Sequence, residues 1–313
     1  MLWLIVAISA YLILAIVQLV DKYLLAGPIP SPKVYSFYVG ALGILILILA
    51  PFVNFYVPEI KQIILSLVAG AIFIYALFWF YKALQKYEAS RVVSAVGGIL
   101  PIFTFGLVYV FSGGKEILKP WEFLSLILLI LGGVLITYEK SKKISLKSFQ
   151  ISAIAAFFLA LSFVLSKYVY MVLPFWSGYI WIKIGGFLMA IGFLLTREVR
   201  SKLFKVKIAR VVGGWRPKKT AGIFLSNQAA GAGANILQNW AIALAPLICV
   251  PLINALQGVQ YVALLIFVTL LSLTRPFWAK KVGLKEEISK EVIFQKLFAI
   301  LLIGTGLALL VLK

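Results

Sequence analysis

The sequence predicts an all-α polytopic membrane protein: ten transmembrane helices arranged as two inverted five-helix repeats. Three observations predict it. Apolar runs of membrane length recur along all 313 residues, with 63% hydrophobic residues and a mean hydropathy of +1.06. The second half repeats the first. LAIVQLVDKY (Leu14 to Tyr23) lies over LALSFVLSKY (Leu159 to Tyr168) without a gap, and the same offset places Gly40 on Gly185. The basic residues, finally, alternate in density from loop to loop. A repeat with an odd number of crossings re-enters the membrane from the opposite side, which is the inverted duplication of many secondary transporters.

The first repeat occupies residues 1–140, with spans near 2–20, 34–56, 62–82, 91–112 and 120–138. A basic linker, 141–148, leads to the second repeat, 149–313, with spans near 149–170, 176–196, 220–244, 248–273 and 293–312. The strict alternation of an outer-membrane barrel is absent. MLWLIVAIS has no basic stretch ahead of its apolar run and no small-residue cleavage site follows Val20, so the first span reads as a mature helix. Cys249 stands alone and forms no disulfide within one chain; its reading is packing.

The formal net charge is +20. Loops after odd-numbered spans hold 24 of the 30 Lys and Arg, while those after even spans hold Lys61, Lys115, Lys119 and Lys167. A nucleic-acid footprint clusters on one soluble surface, so no nucleic-acid partner is expected. The positive-inside rule makes the odd-numbered loops cytoplasmic and puts both termini outside, in the inner (cytoplasmic) membrane of a cell. The loop Arg197 to Lys219 carries nine basic residues and one Glu. It reads as a solvated topology determinant that meets anionic lipid headgroups. The loop Arg275 to Lys290 adds Phe277 and Trp278 as interface anchors.

Absences narrow the function. There is no His and one Asp, Asp21, which the reading places at the membrane edge, beside Lys22. No catalytic triad, metal constellation or phosphate-cradling loop can be built, so neither an enzyme nor a cofactor is expected. No carboxylate stands in mid-span, which leaves proton coupling through a side chain unsupported.

The candidate site is a set of intramembrane polar groups. Laying span 3 on span 8 with Ala83-Leu84 over Ala243-Leu244 puts Tyr75 on Asn235 and Trp79 on Asn239. It also puts Ser94 on Asn254, Gly97 on Gln257, Gly98 on Gly258 and Pro101 on Tyr261. Pairs four apart share a helix face, as do Asn254, Gln257 and Tyr261. Matched stripes on facing helices can line a midplane cavity. The candidate substrate-binding residues are Tyr75, Trp79, Ser94, Gly98, Lys183, Asn235, Gln238, Asn239, Asn254, Gln257 and Tyr261. The plainer alternative is interhelical glue, with each amide contributing roughly 0.6 to 2 kcal/mol. The amides concentrated in spans 8 and 9, among them Asn227, Gln228, Asn235, Gln238, Asn239, Asn254 and Gln257, favour a cavity. Lys183, about seven residues into span 7, either snorkels outward or faces a polar interior. Gly97 and Pro101 are candidate hinge positions.

ALQKYEASRVVSAVGGILPIF (Ala83 to Phe103) resembles the EamA-type signature of the drug/metabolite transporter superfamily. FSGGKEILKPWEF (Phe111 to Phe123) resembles the family's Gly-Glu turn, and LGGVLI (Leu131 to Ile136) its glycine-bearing span end. The resemblance implies a single-subunit secondary transporter, monomer or homodimer, exporting a small metabolite such as an amino acid by alternating access. Tyr261, standing where the second-half Pro would be, departs from the pattern. A lipid-linked sugar or lipid flippase and a non-transporting membrane scaffold are the rival expectations.

Overall fold

The computed structural model describes residues 2–26, 31–87, 89–137, 146–204, 217–274 and 290–312. Most of the Arg197–Lys219 loop and nearly all of the Arg275–Lys290 loop fall outside these residues, as does most of the 141–148 linker.

The described chain is all-α. Its helices are α1 (Leu2–Ala26), α2 (Pro32–Gly43), α3 (Ile60–Lys86), α4 (Ala89–Phe111), α5 (Pro120–Thr137) and α6 (Leu146–Val172). They continue as α7 (Phe175–Leu194), α8 (Arg197–Phe204), α9 (Pro217–Leu244), α10 (Val250–Ala255), α11 (Gln257–Thr274) and α12 (Lys290–Val311). Seven stretches among the described residues are long and apolar enough to cross a bilayer, so the chain is a multi-pass membrane protein. α9 is not one of the seven. It spans 28 residues, but Asn227, Gln228, Asn235, Gln238 and Asn239 lower its hydropathy.

Local sequence sets the ends. Ser31 caps α2, its hydroxyl accepting from the Val34 amide, with Pro32 in the first turn. Gly113 and Gly114 turn the chain between α4 and α5 with φ of +64° and +78°, which a side chain would resist. Two spans are broken. α2 passes at Gly43 into a 3₁₀ segment, Ile44–Phe52, with no buried residue and Pro51 inside it. Such long 3₁₀ runs are uncommon and mark strain or a hinge. The ninth span breaks at Leu256, between α10 and α11. α4, by contrast, runs unbroken through Pro101.

α1 packs along α9, α3 along α6 and α7, α2 along α7, α4 along α6, and α5 along α12. α2 and α9 touch only sparsely. The α3–α7 seam closes on glycine: a Cβ at Gly70 would strike the Ile182 carbonyl, and one at Gly185 the backbone of Leu67. Lys22 donates to the Leu84 carbonyl at 2.9 Å, and Lys167 to the Ala243 carbonyl at 3.0 Å. Each lysine thus satisfies an open carbonyl at a helix C-terminus, α3 in one case and α9 in the other. Lys167, near the end of the sixth span, sits inside α6 at 6% exposure. α6 extends beyond it to Val172, so its stem runs to the end of α9 rather than into water.

Candidate functional site

Between α1, α2, α3 and α9 lies a cavity of about 580 Å³, within the range of small-molecule sites. Most of its wall is apolar, including Leu14, Val17, Leu42, Phe73, Leu77 and Phe80. A smaller hollow of about 30 Å³ adjoins it, edged by Ser162, Ser166 and Asn239, and both spaces touch Lys183 and Asn235.

Lys183 points inward. Its Nζ donates to Asn235 Oδ1 at 2.6 Å and lies 5.0 Å from the Tyr179 ring centroid and 5.5 Å from that of Phe73. Asn235 Oδ1 also accepts from Tyr179 Oη at 2.9 Å and from Asn239 Nδ2 at 3.2 Å. One amide oxygen of α9 thus gathers three donors, a charge-assisted network in a low-dielectric interior. Asn239 in turn accepts from Tyr170 Oη at 2.9 Å. Gln238 donates to Tyr11 Oη at 3.3 Å, and both residues line the cavity.

Asp21 corrects the sequence reading. α1 continues to Ala26, so Asp21 lies more than a turn inside the helix, 5% exposed, on the cavity wall. Its Oδ1 accepts from Tyr35 Oη, and from Asn227 Nδ2 at 2.6 Å. Gln228 Nε2 donates to the same Tyr35 oxygen at 3.4 Å. Among the described residues Asp21 has no Lys or Arg partner, and the one ion pair is Lys33–Glu198 at 3.6 Å, outside the cavity. A carboxylate was therefore present within the span, and the Asp-Lys pair disguised it as an edge.

The candidate residues divide. Lys183, Asn235, Gln238 and Gln257 line the large cavity, and Asn239 the small one. Tyr75, Trp79, Gly98, Asn254 and Tyr261 line neither. Tyr75 and Trp79 do share a face, ring centroids 6.2 Å apart, but Tyr75 packs edge-on to Phe158 of α6 at 5.0 Å. The cavity face of α3 is Phe73, Leu77, Phe80 and Tyr81 instead. Asn254 is fully buried and donates to Thr104 Oγ1 at 2.8 Å. Tyr261 lies against Gly97 of α4, where a Cβ would meet its ring, and Gly98 faces Val134. Gln257 lines the cavity, whereas Asn254 and Tyr261 pack on α4, so the expected Asn254–Gln257–Tyr261 stripe does not form. The side chain of Ser94 lies outside the described residues.

Sequence reasoning missed Gln18 and Gln260 on the cavity wall. Gln18 stands three residues before Asp21, and Gln260 three after Gln257, so helical spacing from those residues was the available signal.

No family model matches the chain, and no curated protein matches it. Its structure is similar to that of a solved chain described only as "Crystal structure of protein", with a TM-score of 0.62 at 16% identity. The match covers 99% of this chain and 96% of the other. At that identity the likeness speaks for a common fold.

Proposed function

We propose that the protein is a secondary transporter that carries a small organic solute across the membrane by alternating access, its ten crossings forming two inverted five-helix halves. The observation that carries this reading is the central cavity with Lys183 and Asp21 on one wall system. Two opposite ionisable groups inside a bilayer are costly, and such residues mark transport pathways. A scaffold without transport has no use for either.

The pattern of helix contacts supports the inverted halves. α6 answers α1 and α9 answers α3 in the sequence repeat. The packing of α3 on α6 is then the counterpart of the packing of α9 on α1. Lys22 at the end of α3 is the counterpart of Lys167 at the end of α9. The correspondence breaks at the α3–α7 seam. α3 lies tightly on α7, while its counterpart seam, α9 on α2, is open. A carrier resting in one of two symmetry-related states has this form: one gate shut on glycine, the other parted.

A second reading, a flippase for an amphiphile, rests on one specific observation. Leu45, Ile48 and Leu225 line the cavity and are 56%, 66% and 54% exposed. A sideways opening between α2 and α9 would admit an acyl chain.

The deciding experiment is uptake by proteoliposomes offered labelled amino acids, nucleosides and lipid-linked sugars. Saturable uptake of a water-soluble solute is expected; transbilayer movement of the lipid-linked sugar alone favours the flippase. No movement of any substrate, together with an unchanging distance between spin labels at Leu49 and Ala232, overturns both.

A further inference from the structure

We infer that Asp21, Gln18 and Tyr81 form a cation subsite in the cavity, built for a protonated amine carried on an apolar body. The inference rests on the transporter reading above for its purpose, but not for its test.

Both hydrogen bonds to Asp21, from Tyr35 and Asn227, fall on Oδ1. Among the described residues Oδ2 has no donor, in a residue that lines the cavity. The donors are neutral, so they orient the carboxylate without cancelling its charge. Two constraints hold the orientation. Tyr35 is fully buried and locked edge-on between the rings of Tyr81 at 4.7 Å and Phe224 at 5.6 Å, and Gln228 reaches its hydroxyl from α9.

The independent observation is Gln18. It lies one turn before Asp21 on the same face of α1 and also lines the cavity. Its Oε1 is buried with no hydrogen-bond partner. A buried acceptor left without a donor is rare and calls for an explanation. Here an orphaned carbonyl oxygen and a free carboxylate oxygen lie on one helix face, and both need a donor. A primary ammonium supplies three N–H groups and a positive charge. Tyr81 and Phe80 from α3 line the same cavity, and aromatic rings attract such a head. The apolar walls of α2 and α3 then suit a hydrocarbon or aromatic remainder.

Titration calorimetry of the purified full chain tests the subsite. The probes are phenethylamine, 2-phenylethanol and phenylacetate, which share a body and differ in the charge of the head. Saturable binding of the amine is expected, with the alcohol and the acid at least about tenfold weaker. Asp21→Asn keeps the hydrogen-bond geometry and removes the charge, and is expected to weaken the amine about tenfold or more. Gln18→Leu is expected to weaken it about threefold. Equal binding of amine and alcohol overturns the subsite, as does unchanged amine affinity in Asp21→Asn. Should Asp21→Asn fail to fold, unchanged affinity in Gln18→Leu overturns it. Absence of amine binding overturns it too and leaves the transporter reading to the uptake assay.

Discussion

Lys183 is the side chain on which the second-half cavity wall turns. Among the described residues its ammonium has a single hydrogen-bond acceptor, Asn235 Oδ1, and that oxygen is shared with Tyr179 and Asn239. Hydrogen bonds to a charged group contribute about 2 kcal/mol each. Asn235→Leu is therefore expected to leave a buried cation without its acceptor and to lower the melting temperature, with a loss of about 2 kcal/mol. Lys183→Ala removes the charge and the need for the acceptor together. Its stability is expected to stay nearer the parent while substrate uptake falls about tenfold. Thermal melting in detergent and initial-rate uptake separate the two effects. Lys183 and Asn235 were legible in the sequence because a cation and a cluster of amides stand out against an apolar background. Asp21 was not, because its lysine neighbour gives it the look of a membrane boundary. Only the continuation of α1 to Ala26 reveals it as interior.

At the scale of elements, the seam between α3 and α7 owes its closeness to Gly70 and Gly185. Gly185→Val places two methyl groups where the backbone of Leu67 stands, and backbone does not yield as a side-chain tip does. A loss of about 3 kcal/mol is expected, or a bundle with these two helices pushed apart. The melting temperature and a spin-label distance across the seam distinguish the two. The lysine caps are milder. Lys22→Met and Lys167→Met each leave a helix-end carbonyl without its donor, at Leu84 and Ala243, and each is expected to cost about 1 kcal/mol by denaturant titration. Helix positions were readable from hydropathy, since each apolar run of sufficient length must satisfy its backbone internally. The breaks were not. α4 is continuous through Pro101, and helix interruptions fall at Gly43 and Leu256. Hydropathy is blind to the difference between 3₁₀ and α. The stripe through Asn254, Gln257 and Tyr261 does not form because Asn254 and Tyr261 pack on α4, at Thr104 and Gly97, and of the three only Gln257 lines the cavity. Aligned positions in α3 and α9 also do different work, because the two helices meet different neighbours: Asn235 faces the cavity, whereas Tyr75 packs against Phe158.

The whole molecule carries its charge asymmetrically, and Ser31 and Lys33 at the start of α2 meet Glu198 of α8, joining two odd-numbered loops at one end of the bundle. Those loops are expected on the cytoplasmic side. A cysteine placed at position 312 should react with an impermeant maleimide in intact cells; protection there would reverse the orientation. The polar character of α9 has a consequence for biogenesis. A segment with five amides has a poor free energy of transfer from the insertion machinery into lipid. By the time it is synthesised, α1 and α6 are already in place, and α1 offers Asp21 and Tyr11 as partners for Asn227 and Gln238. The earlier half of the protein is then the solvent into which α9 partitions. The segment 217–244 alone should integrate poorly in a glycosylation-mapping insertion assay, and integrate well when residues 1–216 precede it. Changing Asp21 should impair integration of a helix made some 200 residues later, making the order of synthesis part of how the site is assembled.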